Sequence, residues 1–319
     1  MKSIEVKNLT KKFGSFVSVD SISFDVEEGE VFGFLGANGA GKSTTIKMLC
    51  GILESTSGEA RVAGYDINKQ SEMVKKNIGY MSQKFSLYND LTVIENINFF
   101  GGIYGLSNSK LAERKKWVLK TAGLEGKELL LAKNLSAGYK QRLALGCAVI
   151  HEPKIVFLDE PTGGVDPISR RSFWDLINDF SQRGITVFVT THYLDEAEFC
   201  NRIMMIDAGK IIAGGSPGEL KEKYLDKAIF EIETGDLEST LQVLDNISWI
   251  VNASFFGKFT HAATPYKDSS GLSLDEKINY IKENLQKENI NLIRIDKILP
   301  TLEDVFVNLL EPEGAKHVV

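Results

Sequence analysis

Nine consecutive residues, Gly36-Ala37-Asn38-Gly39-Ala40-Gly41-Lys42-Ser43-Thr44, match the spacing G-x-x-x-x-G-K-[ST]. Such glycines let backbone N–H groups turn inward around phosphate oxygens, and a helix start behind them adds partial positive charge. In this pattern Lys42 bridges the outer phosphates and Ser43 offers a hydroxyl to Mg²⁺. A second run, Ile155-Val156-Phe157-Leu158-Asp159-Glu160, reads as a buried strand that delivers two carboxylates to its C-terminal edge. Open α/β sheets bind ligands at that edge. There Asp159 is expected to hold Mg²⁺, directly or through water, and Glu160 to orient and deprotonate an attacking water.

These residues need particular elements to hold them. An apolar strand, Val31 to Leu35, runs into the glycine loop, and a helical pattern, Thr45 to Leu49, follows it. Ser3 to Val6 and Val19 to Val26 alternate like half-buried strands, whereas Ile155 to Leu158 and Thr186 to Val189 are continuous apolar runs, as in strands buried on both faces. Helical patterns between them predict an α/β core. Residues 86 to 150 change character: Val93, Ile97 and Phe100, then Leu111, Val118 and Leu119, recur at helical spacing, followed by a helical run from Gln141 to Val149. This predicts a helical insert at about 86–150. A charged linker over Pro217 to Lys227 precedes strands at Ala228–Glu233, Trp249–Phe255, Phe259–Ala263 and Leu292–Ile298, with helices at Leu237–Leu244 and around Leu274–Leu285. The order βαββαβ predicts a smaller α+β, ferredoxin-like domain over 226–312, with a tail at 313–319. Its last helix shows Leu302, Val305, Phe306, Leu309 and Leu310 on one face, with Thr301 as cap.

Composition is that of a globular chain: 43% hydrophobic and 25% charged over 319 residues, with net charge -6. The acidic balance argues against a dominant nucleic-acid surface. Cys50, Cys147 and Cys200 have no paired spacing and read as buried, reduced thiols. His151, His261 and His317 read as ordinary surface or loop residues. The longest apolar stretches, such as Phe99 to Leu106, fall short of the ~18 residues of a membrane helix, so work at a membrane implies docking through a partner.

Leu135-Ser136-Ala137-Gly138-Tyr139-Lys140-Gln141-Arg142, just before the Asp159-Glu160 strand, resembles the signature sequence of ATP-binding-cassette (ABC) ATPases, normally Leu-Ser-Gly-Gly-Gln. Ala137 and Tyr139 depart from it; Ser136 and Gly138 are kept. Other positions fall in that family's order and spacing over residues 1–220. The resemblance implies a P-loop NTPase core, Phe13 stacked on adenine, and Gln83 sensing the γ-phosphate and Mg²⁺. It further implies that Asp166, in Gly164-Val165-Asp166, crosses a dimer interface and that His192 is a switch beside the γ-phosphate. Ser136 and Gly138 would then reach ATP held by a second subunit, identical or related. Tyr88 to Asn96, Tyr139 to Arg142 and Pro300 to Phe306 resemble the ATPase subunits of bacterial exporters of drugs, lipids or polysaccharides. That likeness implies ATP hydrolysis at the cytoplasmic face of a membrane, beside a separate membrane-spanning permease chain. The competing implication is a soluble ABC ATPase acting on ribosomes or nucleic acid. Those proteins commonly carry two cassettes, coiled coils or basic arms; this chain has one phosphate loop, no heptad run and an acidic balance.

Overall fold

The computed structural model describes residues 1–83, 87–223, 227–266 and 270–310. The expected tail at 313–319, His317, and the linker positions 224–226 lie outside the described residues. The chain divides into two compact units, Met1–Ser216 and Pro217–Val319.

In the first unit β1 (Lys2–Phe13) and β2 (Phe16–Glu27) form an antiparallel hairpin, followed by β3 (Val31–Leu35) and α1 (Lys42–Leu49). Next come β4 (Ser57–Val62), β5 (Tyr65–Asp66), α2 (Ser71–Asn77) and β6 (Ile78–Met81). The helical region comprises α3 (Val93–Ile103), α4 (Asn108–Ala122) and α5 (Ala137–Ala148). The chain then returns through β7 (Ile155–Asp159), α6 (Pro167–Gln182), β8 (Thr186–Thr191), β9 (Arg202–Asp207) and β10 (Lys210–Gly215). One sheet runs β2-β1-β4-β5; the other runs β10-β9-β3-β8-β7-β6. In the second sheet β9, β3, β8, β7 and β6 pair in parallel, so their C-terminal ends lie along one edge.

Apolar runs explain why this sheet is central. All five residues of β3 and of β7 and all six of β8 are buried. Phe188 lies 5.4–6.1 Å, centroid to centroid, from Phe24, Phe32, Phe34 and Phe157, which fastens the two sheets together. A separate cluster of Val93, Ile97, Val118, Leu143 and Cys147 holds α3, α4 and α5. All three cysteines are buried, and burial pushes their thiols up. Among the described residues no helix is long and apolar enough to cross a membrane.

The second unit holds α7 (Pro217–Glu222), β11 (Lys227–Thr234), α8 (Leu237–Asp245), β12 (Asn252–Phe256), β13 (Phe259–Pro265), α9 (Leu274–Lys287), β14 (Leu292–Ile298) and α10 (Leu302–Leu310). Its antiparallel sheet runs β12-β13-β11-β14, the ferredoxin-like order. The first hairpin strand is shorter than the sequence predicts. Trp249 and Ile250 are buried in the core, but Ile250 closes a turn onto Ile247, and pairing in register begins at Asn252.

His261 corrects the sequence reading, while His151 lies in the turn after α5, within the reading of a surface or loop residue, but is engaged there. His151 is half-buried: its ring stacks on Tyr104 with centroids 3.6 Å apart, Nε2 donates to the Ile78 carbonyl at 3.0 Å, and burial holds its pKa down at about 4. His261 is only 3% exposed. It lies opposite Glu231 on the sheet face away from Phe230 and Ala262. Its Nδ1 donates to Asp304 at 2.7 Å and its Nε2 to Glu231 at 3.5 Å; Arg294 also pairs with Glu231. Asp304 accepts from the Thr301 N–H and hydroxyl, so one carboxylate both caps α10 and holds the histidine.

Burial alone would lower the His261 pKa, but the two carboxylates outweigh it and raise the pKa above 6.5. Burial alone would raise Asp304, but the donors outweigh it and hold Asp304 below 3.8. The histidine's contribution is complete below pH 6.5 and is lost as pH rises through its raised value. The aspartate's contribution is lost as pH falls through its lowered one. Thermal melts of the full chain are expected to show stability falling on the alkaline side of that window. His261→Gln is expected to remove the alkaline loss; an identical pH profile in the variant would separate His261 from it.

Candidate functional site

The parallel strands place the chemistry. β3 ends in the glycine loop, β8 in His192, β7 in Asp159-Glu160, and β6 is followed by Gln83; the strand order β3-β8-β7-β6 sets these ends side by side. The loop geometry requires glycine at two points. A Cβ on Gly36 would collide with the Ile206 carbonyl, and Gly41 adopts φ 107° with Ser18 O 2.6 Å from where a Cβ would sit. Gly41 caps α1, so the helix begins at Lys42, three residues earlier than its apolar pattern indicates.

A cleft of about 580 Å³ is lined by Phe13, Asn38, Gly39, Gly41, Lys42, Ser43, Thr44, Gln83, Glu160 and His192, together with Phe16 and Ser18. Its volume suits a nucleotide-sized ligand. Gly36 and Ala40 are buried parts of the same loop. Lys42 is 4% exposed and donates to the carbonyls of Gly36 at 2.8 Å and Ala37 at 3.1 Å. Three groups converge on Glu160: Lys42 Nζ at 3.3 Å, Gln83 Nε2 at 2.9 Å and His192 Nδ1 at 3.4 Å. Beside it the Ser43 hydroxyl donates to Asp159 Oδ1 at 3.0 Å, and Thr190 donates to the same oxygen at 2.8 Å. A serine hydroxyl, a carboxylate and an amide oxygen are hard oxygen donors of the kind Mg²⁺ takes. At the mouth, Phe13 is 50% exposed, with Lys11 Nζ 5.2 Å from its ring centroid.

Three other expected site residues lie outside this cleft. Ser136 sits at the N-cap position of α5 with no side-chain bond to the helix and is exposed, with Gly138 buried in the first turn. Asp166 caps α6, accepting from Ser169 N at 2.9 Å, and that bond holds its carboxyl below the usual range. Tyr139 is occupied within its own chain: Lys127 and Arg142 lie 4.8 and 4.7 Å from its ring centroid. The sequence reading missed Phe16, Ser18 and Thr190. Phe16 had a signal: the two-residue turn Gly14-Ser15 pairs Phe13 with Phe16 across a hairpin. Thr190 and Ser18 had none, since each acts through a residue distant in the chain, Asp159 and Thr44.

Comparison with known proteins places this arrangement. Residues 19–163 match the family model described as ABC transporter. The probable multidrug ABC transporter ATP-binding protein YbhF of Escherichia coli (strain K12) is 52% identical over 218 residues, 68% of this chain but only 38% of that longer protein. The linearmycin resistance ATP-binding protein LnrL of Bacillus subtilis (strain 168) is 33% identical over 308 residues, 96% of this chain and 97% of its own length. The dimeric ATP-binding cassette MJ0796, bound to ADP and Pi, superposes with TM-score 0.61 at 27% identity, covering 67% of this chain and 98% of that one. With a similarity that runs nearly end to end with LnrL and a cassette fold behind it, the chain belongs to the family of ABC transporter ATP-binding proteins.

Proposed function

We propose that this chain binds ATP in the cleft at the strand ends and hydrolyses it to drive a membrane exporter whose spanning part is a separate permease chain. The convergence of Lys42, Gln83 and His192 on Glu160, beside the Ser43–Asp159 pair, carries this reading. Phe13 stacks on adenine; Lys42 and the loop amides hold the phosphates. Ser43, Asp159 and Gln83 would hold Mg²⁺, which neutralises charge on the phosphate oxygens when bound. Glu160 takes a proton from the water that attacks the γ-phosphorus, as the bond to the ADP oxygen breaks. His192 and Gln83 orient the γ-phosphate and that water.

Ser136 and Gly138 sit at a helix start, a suitable anion site outside this chain's own cleft. They reach the ATP of a second cassette, a copy or a related chain, with Asp166 at the interface between them. ATP then favours the closed pair, and hydrolysis releases it. The names of YbhF and LnrL, in multidrug transport and drug resistance, support export at the cytoplasmic face of the membrane over a soluble role on ribosomes or nucleic acid. Co-purification of the chain with an integral membrane protein, and stimulation of its ATPase activity by that protein, tests the assignment; failure of both would return the soluble reading.

Phe13→Ala is expected to raise the Michaelis constant for ATP about 5–100-fold, the range of one aromatic–base stack, with turnover at saturation little changed. Steady-state kinetics decide this. An unchanged Michaelis constant would remove Phe13 from the nucleotide site.

A further inference from the structure

Gln141 joins the two regions of this chain that serve different nucleotides. It lies in α5, five residues after Ser136, and is fully buried. Its Nε2 donates at 2.8 Å to the carbonyl of Pro161, the residue directly after Glu160. Glu160 itself adopts φ 48°, a left-handed conformation that a non-glycine residue keeps only when its surroundings impose it. On the strand side, Glu160 N donates to both the carbonyl and the hydroxyl of Thr190, each at 3.1 Å. The bond from Gln141 fixes the other side.

The chemistry of that bond sets the orientation of the amide. The Pro161 oxygen only accepts, so the Gln141 nitrogen must face it. The amide oxygen is then buried without a partner among the described residues. An orphaned acceptor costs stability that an apolar side chain of similar size would not. An amide kept at such a cost points to function rather than packing. The same helix turn also meets α6. A Cβ on Gly138 would lie 2.6 Å from Ser169 Oγ, and Ser169 N is the group that Asp166 caps.

We propose that Gln141 is a positioning residue that ties the opening turn of α5, which engages the partner cassette's nucleotide, to the peptide that sets Glu160 over the chain's own nucleotide. Engagement of Ser136 at one site thereby fixes the general base at the other. This rests on the reading of Glu160 as that base.

The test is a double-variant cycle on full-length chains. Gln141→Met keeps length and volume without a donor; Gln141→Asn keeps the amide one methylene short. Single-turnover hydrolysis of radiolabelled MgATP is measured alongside equilibrium binding and melting. Each substitution is expected to slow hydrolysis about tenfold, the rate equivalent of one lost hydrogen bond, with the MgATP dissociation constant changed less than about twofold. In a Glu160→Gln background the same substitutions are expected to change the residual rate by less than about twofold, because the group they position is gone. Rate losses that multiply in the double variants, wild-type rates in both single variants, or losses explained by the folded fraction alone would each overturn the role of Gln141. Hydrolysis at the wild-type rate by Glu160→Gln would overturn the assignment of the base, and with it this proposal.

Discussion

Glu160→Gln is expected to lower ATP turnover by roughly 10²–10⁴-fold while leaving ATP binding in place, because the amide keeps the shape of the side chain and removes its basicity. The structure adds a reason for retained binding. Lys42 meets Oε1 of Glu160 at 3.3 Å, whereas Gln83 and His192 meet Oε2 at 2.9 and 3.4 Å, so a glutamine keeps an acceptor on one of the two sides, and Lys42 stays held in the loop by the Gly36 and Ala37 carbonyls. With hydrolysis blocked, the step that releases the closed pair is blocked too, so an ATP-dependent dimer is expected to accumulate. Light scattering with and without ATP measures it, at high protein concentration or with the membrane partner present. Ser136→Arg, added to Glu160→Gln, is expected to abolish that dimer, since the exposed start of α5 then presents bulk and charge where the partner's phosphate must enter. A Glu160→Gln chain that stays monomeric with ATP, even beside its partner, would argue against the two-chain clamp.

Lys42→Ala is expected to weaken ATP binding by on the order of 30-fold or more, the effect of removing one member of a buried charge pair worth at least ~2 kcal/mol. Lys42 is nearly inaccessible and is held by the Gly36 and Ala37 carbonyls, so its ammonium is already aimed inside the loop. The fold is expected to survive, because the core under the loop is the aromatic pile around Phe188 and contains no part of Lys42. Isothermal titration with MgATP, paired with circular dichroism, checks both halves. Unchanged affinity would displace Lys42 from the phosphates.

Much of this site was legible in the sequence because its parts are local. A glycine loop between a strand and a helix, or an apolar run ending in two acids, announces itself within ten residues, and β3, β7 and β8 are buried along their whole length as such runs require. The ferredoxin-like order of the second unit followed from strand and helix alternation in the same way. What escaped was whatever depends on residues far apart in the chain. His261 looks unremarkable between Thr260 and Ala262, and only the fold brings Glu231 and Asp304 to it. Gln141 reads as one more polar helix position until Pro161 is seen against it. The three contacts on Glu160 come from positions 42, 83 and 192, and no window of sequence contains them.

The strand order also sets a timetable during synthesis. β3 pairs only with β8 and β9, so Val31 waits for Val187 and Phe32 for Arg202, whereas the β1–β2 and β1–β4 pairings close within the first 62 residues. At translation speeds of about 5–20 residues per second, the apolar β3 strand spends roughly 8–30 s without a sheet neighbour. A nascent chain that stops short of Thr186 therefore carries the whole phosphate loop on an unpaired strand. The nucleotide cleft comes together only after β8 emerges, and truncated translation products of this chain present a hydrophobic edge in place of a site.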